Sequence, residues 1–189
     1  MMPSAVIDAC CLIDLLATGH AEDILRAANF DWYLPTAVEG EVLHIRAYDP
    51  AQPGQYLKVD VDLSPLKGPG LLQVCTPADQ TELDQFVYYA SVFRSDGEAM
   101  CLAIAEQRGW VLATDDRKAI RVARQAGLTV ISCPALVKNW ADTTKPNPAT
   151  LQKALMDIQL LAQFKPNSAM PEYPWWVEEV ANIVPLDEK

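Results

Sequence analysis

Asp8, Glu41, Glu98 and the adjacent Asp115 and Asp116 are the residues whose type and placement point to chemistry. Asp8 closes the apolar run Ala5-Val6-Ile7, and the Asp115/Asp116 pair closes a second one, Trp110-Val111-Leu112-Ala113-Thr114. Each acid also has an ordinary explanation. Asp8 and one member of the pair fit helix N-caps, Ser95-Asp96-Gly97-Glu98 fits a capping box, and Glu41 fits a salt bridge with Arg46 or a distant lysine. N-capping cannot employ both Asp115 and Asp116, however, and neighbouring carboxylates repel unless a cation relieves them. Four separate segments that each deliver an acid to one place form a cation-binding pattern. A set of oxygens without an ordered His or Cys suits Mg²⁺ or Mn²⁺ better than zinc, and His20 and His44 offer no ligand spacing.

The elements that must carry these acids read as alternating strands and helices. A strand ends at Asp8 and is followed by a helix bearing Leu12, Ile13, Leu15 and Leu16, with Gly19 as its stop. A second strand covers Asp31 to Leu34. Pro35 then opens a helix with Val38, Val42 and Ile45 as its inward stripe, which places Glu41 within about 60° of that stripe and turns Glu39 to solvent. Residues 48–70 lack periodicity and read as an irregular insertion. Further elements are a strand over Leu71 to Cys75, an amphipathic helix over Ala78 to Phe93 (Leu83, Phe86, Val87, Ala90) and a helix over Asp96 to Arg108, on which Glu98 shares the inward side with Cys101, Leu102 and Ala105. The Trp110 to Thr114 strand, a helix from Arg117 to Ala126 closed by Gly127, and a strand over Leu128 to Ile131 complete a βαβ unit. Repetition of that unit predicts a parallel sheet covered on both faces, with Asp8 at the rim where such sheets place ligands. Asn147-Pro148 starts a last long helix, expected to reach about Phe164.

Composition bounds the reading. With 189 residues, half of them apolar, one domain with a short appendage is expected. No run of about 18 apolar residues exists, and the start lacks signal-peptide character, so a cytoplasmic protein is expected. The five cysteines (Cys10, Cys11, Cys75, Cys101, Cys133) have no CxxC spacing, which predicts neither disulfides nor a zinc site. A formal charge of −10 argues against an all-over nucleic-acid-binding surface, though charge acts locally.

The order of motifs resembles the PIN domain family. The matching stretches are Val6-Ile7-Asp8-Ala9-Cys10-Cys11-Leu12-Ile13, then Pro35 to Val42, then Asp96-Gly97-Glu98-Ala99 through Ala105, and finally Leu112-Ala113-Thr114-Asp115-Asp116-Arg117. The resemblance implies a three-layer α/β/α fold with a doubly wound, mainly parallel sheet. It places a PIN-like nuclease domain over 1–141, with the insertion at 48–70, and leaves 142–189 as a C-terminal helical extension packed on the same domain. It further implies a Mg²⁺ or Mn²⁺ site and endoribonuclease activity on single-stranded RNA, of the kind seen in VapC-type toxins of toxin–antitoxin pairs. The acids that correspond are Asp8, Glu41, Glu98 and one or both of Asp115 and Asp116; Asp116 fits the family's Thr-x-Asp spacing, and subfamilies with paired acids keep Asp115 open. Cys10 departs from the Ser, Thr or Asn the family often has there.

On this reading Asp8, Glu98 and Asp116 hold the metal, and Glu41 completes a second position or orients water. Arg117, Lys118, Arg121 and Arg124 recur at helical spacing beside the acids and can meet phosphate, although a solvated helix face explains them equally well. Trp175-Trp176 looks exposed and suits base stacking, but a core or dimer contact is the stronger expectation; Leu155, Ile158 and Leu161 look like packing or self-association surface. The expected partners are RNA, an antitoxin-like inhibitor protein and a second copy of the chain, with no membrane. The competing reading is a catalytically silent PIN-fold interaction or regulatory module, which the −10 charge and Cys10 favour. A phosphatase or receiver-type protein is disfavoured, because the first wants an acid at position 10 and the second an acid pair before the first strand.

Overall fold

Strand β1 (Ser4–Ile7) is flanked on both sides by parallel neighbours, and the rest of the fold is arranged around it. The computed structural model describes residues 2–41, 44–52 and 54–181. Helices α1 (Ala9–Ala17) and α2 (Ala21–Ala28) follow, then β2 (Asp31–Pro35), the single turn α3 (Thr36–Glu39), β3 (His44–Tyr48), β4 (Tyr56–Asp60), the short α4 (Ser64–Lys67) and β5 (Leu72–Cys75). Next come α5 (Gln80–Ala90), α6 (Asp96–Arg108), β6 (Val111–Ala113), α7 (Arg117–Gln125), β7 (Val130–Ile131), α8 (Cys133–Thr144), α9 (Pro148–Asp157) with a π-helical turn over Ile158–Ala162, and α10 (Tyr173–Ala181).

The main sheet has the order β5-β2-β1-β6-β7, every pair parallel. The chain winds outward from β1 through β2 to β5, then crosses back to β6 on the other side of β1. The carboxyl ends of β1 and β6 are therefore the switch point at which an open sheet leaves a crevice. Ile7 pairs with Ala113, so Asp8 and Thr114 emerge side by side at that rim, and the Asp8 amide donates to the Ala113 carbonyl at 3.1 Å. Helices α1, α2 and α8 pack together, while α6 packs on β1, β2 and β6 and carries α3, α5 and α7 against it. With helices on both sides of the sheet, this is the three-layer α/β/α arrangement, followed by C-terminal helices.

Several local expectations change. The helix opened by Pro35 ends at Glu39 with Gly40 at its C-cap, and by His44 the chain has entered a strand. Val42, part of the expected inward stripe, lies outside the described residues. Glu41 is thus an exposed residue on a turn, not a member of a buried helix face. The stretch expected to be irregular, 48–70, instead supplies β4, which pairs antiparallel with β3 from His44↔Asp60 to Tyr48↔Tyr56, and then α4.

Helix α5 turns differently from its apolar pattern: Val87 and Tyr88 are 66% and 61% exposed, while Glu82 is buried against Arg108. Helices α2 and α8 were not anticipated at all. Trp176 is no surface residue; it is 2% exposed within α10 and belongs to the same core as Leu151, Leu155, Ile158 and the residues of β1.

Candidate active site

Asp8 leaves β1 in extended conformation and caps α1, accepting from the Cys11 amide at 2.9 Å. Thr114 Oγ1 donates to the other oxygen of the same carboxylate, and the Cys10 thiol donates at 3.2 Å. Burial pushes the Asp8 carboxyl up to about 6 from 3.8, the hydrogen bonds pull against that rise, and the charge of Asp116 adds to it. Asp116 caps α7 through the Ala119 amide at 2.7 Å, while its own amide donates to Thr114 Oγ1 at 3.2 Å. Thr114, fully buried at the end of β6, therefore ties the first acid to the backbone that places the last.

Glu98 occupies the third position of α6. The capping box is half used, with Ser95 Oγ accepting from the Glu98 amide at 3.3 Å. The Glu98 carboxyl is raised, first by burial and then by the charges of Asp116, Asp8 and Glu41, while Lys118 lowers it. Glu41 comes from the turn after α3 and is held by two donors of α6: the Ser95 hydroxyl at 2.8 Å and the Gly97 amide at 3.0 Å. The alternative of a salt bridge to Arg46 or a lysine is not found for Glu41 among the described residues; Lys67 pairs instead with Glu39, which is half-buried and not free in solvent. Among the described residues none of Asp8, Glu41, Glu98, Asp115 and Asp116 has a basic ion-pair partner within 4.0 Å.

Asp115 parts company with Asp116. Both its oxygens accept from the Cys133 amide, at 3.1 and 3.0 Å, and burial pushes it up to about 7. It lies beside Asp14 and Cys133, and these three are the only trio of His, Cys, Asp or Glu among the described residues whose ligand atoms come within 4.8 Å of one another. Asp8, Glu41, Glu98 and Asp116 are coupled by charge but more widely spaced. Such a spread suits a hard cation that keeps several of its waters and takes only one or two carboxylates directly, as Mg²⁺ does.

Of the expected phosphate stripe, Arg117 and Arg124 line a cleft of about 590 Å³ between α7, β7 and residues 167–172. Lys118 turns the other way, donating to the Val92 carbonyl and lying 4.7 Å from the Phe93 ring centre, and Arg121 is exposed. Sequence reasoning passed over Thr114 as a partner for Asp8, Ser95 and Gly97 as holders of Glu41, and Asp14 altogether. A signal for Asp14 existed: it lies three residues after Cys11 and four before Thr18, on the inward side of α1.

A parallel α/β/α sheet with acids gathered over its switch point is the architecture of a metal-assisted nuclease fold. A PIN-domain family model matches residues 4–143, and the chain belongs to the PIN-domain family. Members of that family are typically nucleases and generally use divalent metals. Comparison with curated proteins gives no match.

Proposed function

We propose that this chain is a Mg²⁺- or Mn²⁺-dependent endoribonuclease that cleaves phosphodiesters of single-stranded RNA. The observation that carries the reading is the linkage of the acids at the sheet rim, where Thr114 Oγ1 joins the Asp8 carboxylate to the Asp116 amide and the Gly97 amide holds Glu41 one residue before Glu98, with no basic residue paired to any of the four among the described residues. Asp8, Glu98 and Asp116 are the residues assigned to the cation. A bound divalent ion lowers the pKa of its water and neutralises charge that develops on the phosphoryl oxygens. Asp8 is held in place by Thr114 and the Cys11 amide, so its carboxylate is fixed before substrate arrives. Glu41, anchored by Ser95 and Gly97, orients water from the opposite side. Arg117 and Arg124 meet phosphates of the flanking strand along their cleft.

The test is cleavage of single-stranded RNA by the full chain in Mn²⁺. Activity that disappears on chelation and in Asp8→Asn supports the reading; cleavage that persists in Asp8→Asn ends it. We extend the proposal to a cytoplasmic toxin restrained by an antitoxin-like protein, for which growth arrest on expression, abolished by the same variant, is the expected result. The second reading, a silent PIN-fold interaction module, draws on the −10 charge and on Cys10 in place of a hydroxyl or amide residue. It predicts no cleavage by wild type at any metal concentration. Self-association and the role of 142–189 as an extension of the same domain remain part of the proposal; light scattering and truncation at 141 test them.

A further inference from the structure

The absence of cysteine pairs in the sequence predicted no zinc site, yet folding brings one cysteine to two acids far from it in the chain. Asp14 of α1, Asp115 after β6 and Cys133 in the first turn of α8 each present a ligand atom to a common point, all within 4.8 Å of one another. All three are buried, Asp14 to 4% exposure and Cys133 completely. Asp115 is engaged by the Cys133 amide, but the Asp14 carboxylate has neither a hydrogen bond nor an ion pair among the described residues. A carboxylate so placed is costly unless something compensates it. Close by, Glu172 on the wall of the adjoining cleft keeps Oε2 buried and without a partner among the described residues, adding negative charge on the same side.

We propose that Asp14, Asp115 and Cys133 form a second cation site, distinct from the carboxylates around Asp8 and selective for a thiophilic divalent ion such as Zn²⁺. One thiolate with two carboxylates is a borderline-soft donor set, which Mg²⁺ does not favour and Zn²⁺ or Co²⁺ does. Binding releases to solvent the thiol proton of Cys133 and the proton shared by Asp14 and Asp115, and Zn–S and Zn–O bonds replace the S–H and O–H bonds without any redox change. The ion joins α1, the end of β6 and the start of α8, adding to the bond from the Cys133 amide to Asp115 a link that also ties in Asp14. Its role is structural, and it needs no nuclease activity to exist.

The experiment is a Co²⁺ titration of chelator-stripped full-length protein, read by absorbance. One equivalent should produce a thiolate-to-cobalt charge-transfer band that Zn²⁺ displaces. The band should persist in Asp8→Asn, Glu98→Gln and Cys10→Ser, vanish in Cys133→Ser, and require at least about tenfold more Co²⁺ in Asp14→Asn. Circular dichroism of the two site variants checks their fold, and cadmium NMR of the wild type reads sulfur ligation without any substitution. Cobalt bound without the band, a band that survives in Cys133→Ser, or a cadmium shift of oxygen ligands only would each overturn the site. So would a wild type that binds no thiophilic ion, which leaves Asp14 and Asp115 sharing a proton.

Discussion

Glu41 and Gly97 meet so closely that a Cβ at position 97 would stand 2.8 Å from the Glu41 carboxylate, whose oxygen accepts from the Gly97 amide at 3.0 Å. The atom in the way is the far end of a flexible side chain, so Gly97→Ala forces the carboxylate aside and leaves the backbone alone. Alanine also favours helix by about 0.5–1 kcal/mol. Gly97→Ala should therefore keep or slightly raise the unfolding midpoint in urea while lowering metal-dependent RNA cleavage at least about tenfold. Equal loss of stability and activity would show that Gly97 matters for the helix and not for Glu41.

The raised Asp8 carboxyl has a consequence for stability. The unfolded chain releases this proton near 3.8 and the folded chain near about 6, so stability falls as pH rises through that interval and the cost persists above it. Two pKa units correspond to about 3 kcal/mol, an upper figure for this site. Asp8→Asn should be inactive yet more stable than wild type at pH 8 in chelator, with the difference gone near pH 4. Added Mn²⁺ should raise the denaturation midpoint of wild type alone.

Glu82 titrates in the opposite sense. Arg108 binds both its oxygens, at 2.7 and 2.8 Å, and the Ala78 amide adds a third bond at 2.7 Å. These bonds, the arginine's first, hold the Glu82 carboxyl below its ordinary 4.5. The stabilisation is full above about 4.5 and is lost as pH falls through the depressed value. Glu82→Gln should cost about 2–4 kcal/mol at pH 7, since it leaves a largely buried guanidinium short of a partner. Urea midpoints taken from pH 6 to pH 3 should converge for the two proteins.

Trp176 fills the core under α10, but its indole Nε1 is buried without an acceptor among the described residues. Trp176→Ala should cost about 3–5 kcal/mol through the cavity it opens. Trp176→Phe relieves the orphaned N–H, a gain of about 1–3 kcal/mol against the lost ring volume, and should fall within about 1 kcal/mol of wild type. Thermal unfolding of the pair separates packing from the polar penalty.

Arg117 and Arg124 face one cleft, whereas Lys118 is spent on Val92 and Phe93. Removal of either arginine should flatten the salt dependence of single-stranded RNA binding by about 0.7 in the log–log slope. Lys118→Ala should leave that slope unchanged. Fluorescence anisotropy across a salt series, in the Asp8→Asn background to prevent cleavage, makes the comparison.

The sheet and the origin of each rim acid could be read from the sequence because local pattern and local geometry agree there. Ala5-Val6-Ile7 and Val111-Leu112-Ala113 are buried strands, and Asp8 and Asp116 do cap the helices that follow. Reading failed where a contact between distant segments decides the outcome. Val38, Val42 and Ile45 have helical spacing, but the helix ends at Glu39, and Glu41 is positioned by Ser95 and Gly97, more than fifty residues away in the chain. Leu83 and Val87 look inward by period, yet the Glu82–Arg108 pair turns α5 so that they face out. Asp14 sits in an apolar run that discloses nothing of Asp115 or Cys133.

The hairpin of β3 and β4 leans on α1 and on the π-helical turn at Ile158–Ala162, and the Tyr48 hydroxyl reaches Asp157 at 3.2 Å. A growing polypeptide translated only as far as Asp142 would thus already own Asp8, Glu41, Glu98, Asp115 and Asp116, but would lack the platform on which the segment just downstream of Glu41 comes to rest. Order of synthesis and order of assembly differ here: the late-made helices finish what the early residues begin, and the nascent fold would stay incomplete until they dock.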